Sequence, residues 1–372
     1  MKALRIHAGP RARQHIAQHG LRPQDIHVIP GAAGGPKGLI LGPLDRFIFG
    51  DWLVPSTHEV HLVGASIGAW RMATACLNDP VEAFQRLEHD YIHQHYELQP
   101  GQKRPTAAFV SEVFGQNLRA FYGGRVGEVL DHPRFRLHIV TSRGRHLLGR
   151  EHGLRTPLGY LGAFLTNAVH RKAMGAWLER VVFSTPASSL PDAPCAALPF
   201  ATQDYRSRQV RLMASNFNLA LQASCSIPFV LQSVRDIPGA PPGAYWDGGI
   251  TDYHLHLNYA ATMPAIDPDA PGLVLYPHFQ QAVVPGWLDK RLKWRHHATH
   301  FLDHVIVLAP DPEWVKMLPH GKLPDRTDFT RYGNDLPARV AAWRAAVSAS
   351  RQLADEFAAW LQRPDPDRVR PL

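Results

Sequence analysis

Three short stretches of this chain carry residue types that could do chemistry together. Gly64-Ala65-Ser66-Ile67-Gly68 fits G-x-S-x-G, the spacing that sets a serine on a sharp turn between a strand and a helix. Glycines two residues to either side leave room for the strained backbone such a turn requires. The hydroxyl then stands at a helix N-terminus, where the helix dipole favours developing negative charge. Gly34-Gly35-Pro36-Lys37-Gly38 can turn backbone amides inward as an anion-binding nest. A tetrahedral oxyanion needs donors of that kind, fixed before reaction. Asp247-Gly248-Gly249 places a carboxylate on a backbone free to bend, although an isolated Asp-Gly-Gly is usually only a turn.

The elements around these stretches must bring them together. Ile26–Ile29 reads as a buried strand leading into the glycine loop, and an apolar run from Leu39 reads as the helix leaving it. Val60–Val63 is a second strand, and Ile67–Leu77 a helix of small and apolar residues with Pro80 beyond its end. Further strands are expected at Arg136–Thr141, Val181–Ser184, Leu273–Tyr276 and Val305–Leu308. Helices are expected at Ala12–His19, Val81–His95, Ser111–Phe121 and Asn216–Ala223, with a helical segment at Asn334–Leu361. Strands separated by helices of this length predict an α/β fold of three layers, its mostly parallel sheet covered on both faces. Two proline-rich stretches, Thr185–Phe200 and Ile237–Tyr245, read as long surface loops suited to act as lids. The expected division is a helical lead-in over 1–25, a catalytic domain over 26–310 and a helical extension over 311–372.

Taken in order, the glycine loop with its basic residue, G-x-S-x-G and the distant Asp-Gly-Gly resemble the patatin-like phospholipases. Ala223-Ser224-Cys225-Ser226-Ile227-Pro228 is similar to the small-residue segment that precedes the aspartate motif in that family. The resemblance covers roughly Ile26 to Asp252, and it departs from the family pattern at Ala33, where a glycine is common. It implies a patatin-like fold and a Ser–Asp dyad without histidine. Ser66 would be the nucleophile and Asp247 its base, with Gly34, Gly35, Lys37 and Gly38 forming the oxyanion loop. Gly64, Gly68, Gly248 and Gly249 would support the turns. The implied activity is hydrolysis of a lipid-type ester through an acyl-enzyme, with no cofactor. Ala33 puts the identity of the oxyanion donors in question.

Other readings compete. His254 and His256 follow Asp247 closely and, two apart on a strand, would share a face, which keeps a Ser-His-Asp esterase open. A non-catalytic lipid- or acyl-binding protein on the same fold is a second alternative. The glycine loop fails both the Walker and the Rossmann patterns, because no Ser or Thr follows a Gly-Lys pair and G-x-G-x-x-G is absent there. His296, His300 and His304 recur every four residues beside Asp303, yet ligands on three consecutive helical turns spread too far to share one ion easily, so no metal site is expected.

Composition narrows the class. The 372 residues are 45% hydrophobic and 19% charged, enough for a large core and unlike a disordered chain. Cys76, Cys195 and Cys225 form neither a disulfide framework nor a zinc module and suit a reducing compartment. Neither an apolar leader nor a spanning run is evident, so a soluble cytoplasmic protein is the expectation. The formal charge of +8 favours anionic partners in general. Nucleic acid is not among those expected, for want of any recognition motif. The basic, aromatic run Trp287–His297 is instead the candidate for peripheral contact with an anionic membrane.

Overall fold

The computed structural model describes residues 2–96, 105–188, 190, 192–263 and 272–372. Its strands are β1 (Leu4–Ala8), β2 (Ile26–Gly31), β3 (Val60–Ala65), β4 (Phe135–Gly144), β5 (Leu178–Ser184), β6 (Ser207–Arg211), β7 (Val234–Arg235), β8 (Ala244–Asp247), β9 (Leu273–Pro277), β10 (Val305–Pro310) and β11 (Val369–Pro371). They join one sheet in the order β11-β1-β10-β9-β2-β3-β4-β5-β6, with β8 paired to β4 and β7 paired to β8. Helices flank the sheet on both faces. Strands β5, β9 and β10 are buried at every position; β9 and β10 are apolar runs covered from both sides, while in β5 the buried Glu179 and Arg180 are ion-paired to Arg143 and Asp252. The outermost strand β6, Ser-Arg-Gln-Val-Arg, keeps charged and polar side chains exposed and so blunts an open edge.

The sheet is of mixed topology, with parallel pairings in the majority. Among the described strands six pairings are parallel, and β1–β10, β4–β5, β4–β8 and β7–β8 are antiparallel. Alternation of strands and helices does not fix direction. The chain leaves β4 at Gly144, runs through the helix Arg155–Val169 and re-enters at Leu178, opposite Gly144 itself, so β5 must run backwards.

Strand β4 also outlasts its apolar run, because its polar end is satisfied within the sheet and against the turn after β8. Thr141 Oγ1 donates to the Val181 carbonyl at 2.9 Å, and the Ser142 and Thr251 hydroxyls meet at 3.0 Å. The helix expected after the glycine loop is three segments: a 3-10 turn Gly35–Leu41, an α-helix Gly42–Phe47 and a π segment Ile48–Trp52. Segment 1–25 contributes β1 besides the helix Pro10–His19, and 311–372 contributes β11 besides the helices Leu336–Ala349 and Arg351–Gln362. The amides of Ala3 and Leu4 donate to Glu356, which ties the two ends of the chain together. Ser189 and Pro191, within the proline-rich loop Thr185–Phe200, lie outside the described residues, as does Met1.

One edge of β4 is shared by two strands placed end to end. Parallel β3 covers it from Phe135 to Val140, where Ala65 is the last partner. Antiparallel β8 takes over at the next residue, with Asp247 opposite Thr141. The C-terminal ends of β3 and β8 therefore face each other across a single step of β4, which brings Ser66 and Asp247 together.

Candidate active site

Ser66 follows β3 directly and caps the helix Ile67–Ala75 with φ 57° and ψ −130°, a conformation that L-residues seldom adopt. The turn closes because its flanking glycines lie against backbone. A Cβ on Gly68 would stand 1.8 Å from the Gly31 carbonyl oxygen, and one on Gly64 would stand 2.3 Å from the Ala69 Cα. The Ser66 amide is held as well: it donates to Ser224 Oγ at 3.0 Å, and the Ser224 hydroxyl donates to the Val140 carbonyl at 2.7 Å.

Asp247 ends β8, and Gly248 passes over β4 so closely that a Cβ would lie 2.0 Å from the Val140 carbonyl oxygen. The carboxylate is gripped at both oxygens. Ser66 Oγ donates to Oδ2 at 2.7 Å, and the Gly249 amide donates to Oδ1 at 2.7 Å. The segment that binds Ser66 also binds this strand end, since Asp247 donates its amide to the Ser226 carbonyl and Gly248 to that of Ser224. Ser66 is 4% and Asp247 5% exposed, so the pair is nearly closed to water. Burial pushes the Asp247 carboxyl above the usual carboxylate range, opposed by the Ser66 hydroxyl, the Arg326 guanidinium, the Gly249 amide and Lys290.

In the glycine loop Gly34 is extended, at φ 175°, and Gly35 is left-handed, at φ 57°. Gly34 caps the 3-10 turn, so the Gly35 amide precedes its first internal bond. Gly34 and Lys37 line one cavity beside Ser66, and Gly35 lines another. Gly38 lies elsewhere, under Ile67 and Arg71. Ala33 donates its amide to the Tyr253 carbonyl at 2.9 Å, and its methyl group presses on Gly249, where a Cβ would come within 2.6 Å. Ala33 therefore packs the loop against the aspartate turn.

Ser66 stands where two cavities meet. The larger, of about 490 Å³, is walled by Trp70, Tyr91, Val110, Phe114, Leu231 and Phe329. The smaller, of about 190 Å³, holds Asp247 together with Lys37, Lys290 and Arg326. Among the described residues, the expected lids line neither. The walls come instead from Ile227 and Pro228, from Trp287 and Lys290, and from 325–334 in the C-terminal segment.

The histidine readings change with the structure. His254 and His256 do not lie on a strand; they sit in irregular chain around Leu255 at φ 47°. His254 Nδ1 lies 3.1 Å from both the Ala282 carbonyl oxygen and the Val284 amide nitrogen. His256 is held by the Val283 carbonyl and the Thr299 hydroxyl. Neither bonds Asp247, and burial pushes both toward the neutral form, His256 to about 4. His296 follows the turn Lys293–Arg295 and His300 opens a separate one, His300–Leu302, so no single helix presents the three imidazoles.

Ser224, Arg326 and Phe279 complete the site, though neither type nor spacing marks them for it in the sequence. Ser224 lay inside the Ala223–Pro228 segment, but nothing in its type marked it as the partner of the Ser66 amide. Phe279 packs against Gly34, with a ring carbon 2.4 Å from where a Cβ would be, and its ring lies 5.3 Å from Lys37 Nζ. Searches for relatives add nothing to this geometry: no family model and no curated protein matches the chain.

Ser224→Ala is expected to strand the buried Ser66 amide and to cost about 1–3 kcal/mol in denaturant unfolding. An unchanged unfolding free energy would show that the turn holds without it.

Proposed function

We propose that this chain is a patatin-like acyl hydrolase in which Ser66 is the nucleophile and Asp247 the general base. The observation that carries this reading is the 2.7 Å hydrogen bond from Ser66 Oγ to Asp247 Oδ2, made between two buried residues where two cavities meet. A free aspartate with a pKa of about 3.9 is a weak base at neutral pH, and burial strengthens it. Ser66 Oγ attacks the ester carbonyl while its proton passes to Asp247. The alkoxide leaving group takes that proton, and water then releases the acyl group from Ser66 by the same route in reverse. The Gly35 amide and the amides at the start of the helix at Ile67 are the donors this reading assigns to the oxyanion. The larger cavity has the apolar walls an acyl chain needs. The order of the motifs along the sequence supports the same family.

We further propose that the protein works against an anionic membrane, as the run Trp287–His297 suggests. That run packs on the end of the helix Arg155–Val169, where Arg295 donates to Asn167 and Ala168. Trp294, Arg291 and Lys293 are exposed there. The outer face of the helix adds Leu158, Leu161, Leu165 and Val169, all exposed, and no charged residue occurs from Thr156 to Val169. Arg150 and Arg155 flank one end of this stripe and Lys172 the other. Exposed Phe229, against Tyr160 of the same helix, links the stripe to the cavity walls at Ile227 and Pro228. Apolar side chains rimmed by cations suit an interface rich in anionic lipid.

A fluorophosphonate probe is expected to label Ser66, and Ser66→Ala and Asp247→Ala to lower hydrolysis of a short p-nitrophenyl ester by at least about 10³-fold. Equal rates for all three proteins would favour a non-catalytic acyl-binding protein. Since hydrolysis needs ionised Asp247, kcat/KM should rise with pH through a pKa above the ordinary carboxylate value of about 3.9. An acid limb at or below that value would count against Asp247 as base. Leu158→Glu combined with Leu165→Glu should weaken sedimentation with phosphatidylglycerol-containing vesicles by about tenfold or more, with no change in oligomeric mass. Binding that ignores both the substitutions and the anionic lipid would remove the membrane role, and loss of a dimer would reassign the stripe to self-association.

A further inference from the structure

Three arginines are buried among the described residues, and one of them is left without a counter-charge. Arg71 donates twice to Asp45, at 2.7 and 2.6 Å, and Arg180 twice to Asp252, at 2.8 and 2.6 Å. Arg339, only 4% exposed, pairs with no carboxylate among the described residues. Its one hydrogen bond there goes to the Gln94 carbonyl, and Nε has no acceptor. Two aromatic rings hold the guanidinium in place, its carbon lying 4.6 Å from the centre of Phe329 and 5.0 Å from that of Trp343. Asp328 acts on it only through space, because that carboxylate is engaged elsewhere. Lys322 meets it at 2.7 Å, and the Trp343 indole and the Asp325 amide each donate to it at 3.0 Å. Burial therefore draws the Arg339 guanidinium below its ordinary pKa. An unpaired charge out of water is costly, and functional sites are where proteins tolerate that cost. Arg339 lines the larger cavity, the apolar one that reaches Ser66. A second group of that wall, Trp70 Nε1, is also buried without an acceptor among the described residues. Both unmet groups are donors, so what they call for is oxygen on the occupant.

Resting on the acyl-hydrolase reading, we propose that the acyl group taken by Ser66 ends in a carboxylate bound by Arg339, so that the substrate is a half-ester of a dicarboxylic acid. A plain hydrocarbon chain would suit the apolar walls but leave the guanidinium buried against it with no partner. A carboxylate brings the single negative charge that one guanidinium lacks, and its two oxygens match a planar donor group. Phe114 and Leu231, in the same wall, favour a methylene chain between the two ends over a short, wholly polar acid. The reaction balances as simple hydrolysis. The bond from the acyl carbon to the alcohol oxygen breaks, Ser66 Oγ takes the acyl group, and the Ser66 proton passes through Asp247 to the departing alcohol. Water then releases the free diacid, and the distal carboxylate takes no part in either step. Arg339 does not line the smaller cavity, so this contact is separate from the cations beside Asp247.

The test compares mono-p-nitrophenyl suberate with p-nitrophenyl octanoate, esters of equal chain length that differ only at the far end. Two readouts are taken below the aggregation limits: kcat/KM of the native protein, and calorimetric affinity of Ser66→Ala for monomethyl suberate and methyl octanoate. A preference of about tenfold or more for the acid-ended ester is expected in both, carried by KM rather than kcat. Arg339→Gln should bring both preferences to within about threefold, and Arg339→Lys, which keeps the charge, should retain part of them. Each preference is a ratio within one protein, so a smaller folded fraction does not alter it. On the native protein alone, a series of half-esters from adipate to sebacate should show one best length, since a fixed guanidinium sets the span from Ser66. Hydrolysis without preference, a preference that survives Arg339→Gln, or one that ignores chain length overturns the carboxylate contact and leaves the hydrolase reading standing. Preferential binding of the acid-ended ester without hydrolysis of either does the reverse.

Discussion

The site depends on one arrangement of hydrogen-bonded strands. Strand β4 accepts β3 along one edge as far as Val140 and β8 from Thr141 onward, so two chains running in opposite directions end head to head. Each end carries its side chain into the gap. Ladder bonds fix register to a single residue, so this pairing places Ser66 near Asp247 more rigidly than a loop could. A slip of one residue in either pairing would turn one of the two side chains to the opposite face of the sheet.

That junction would be open to collapse if nothing lay beneath it. The Val140 carbonyl is where the supports converge: Ser224 donates to it, and Gly248 crosses it at a distance that only a glycine allows. Ser224 in turn accepts the amide of the strained Ser66. The strain at φ 57° is thus held by a bond to a side chain that β4 itself anchors. Gly31 and Gly68 approach with the same closeness on the other side of the turn, so the glycine loop, the serine turn and the aspartate turn share one packed unit.

Much of the frame was legible in the sequence because apolar runs and helix punctuation report burial directly. The runs behind β2, β3, β9 and β10 begin at the expected residues, and each strand extends one or two positions further. Strand direction was not legible, since the excursion through Arg155–Val169 can return to either end of β4. Strands β7 and β8 are hidden because two and four residues leave little periodicity, and β8 begins inside a proline-rich stretch that reads as loop. Ser66 and Asp247 stood out by glycine spacing and family resemblance, whereas their contact could come only from the register on β4. Arg326 was beyond reach for a different reason. It lies in the segment read as an extension outside the catalytic domain, and only folding brings its guanidinium against Gly35.

The electrostatics of the site follow from the same packing. Removing Asp247 from water favours its neutral form, which would disable it as a base if nothing opposed the shift. The opposition comes from two classes of group. The Ser66 hydroxyl and the Gly249 amide donate directly and hold the carboxylate in one orientation. Arg326 and Lys290 act through space, without touching it. Geometry and charge are thereby separated: hydrogen bonds set where the carboxylate points, and the cations set how readily it ionises.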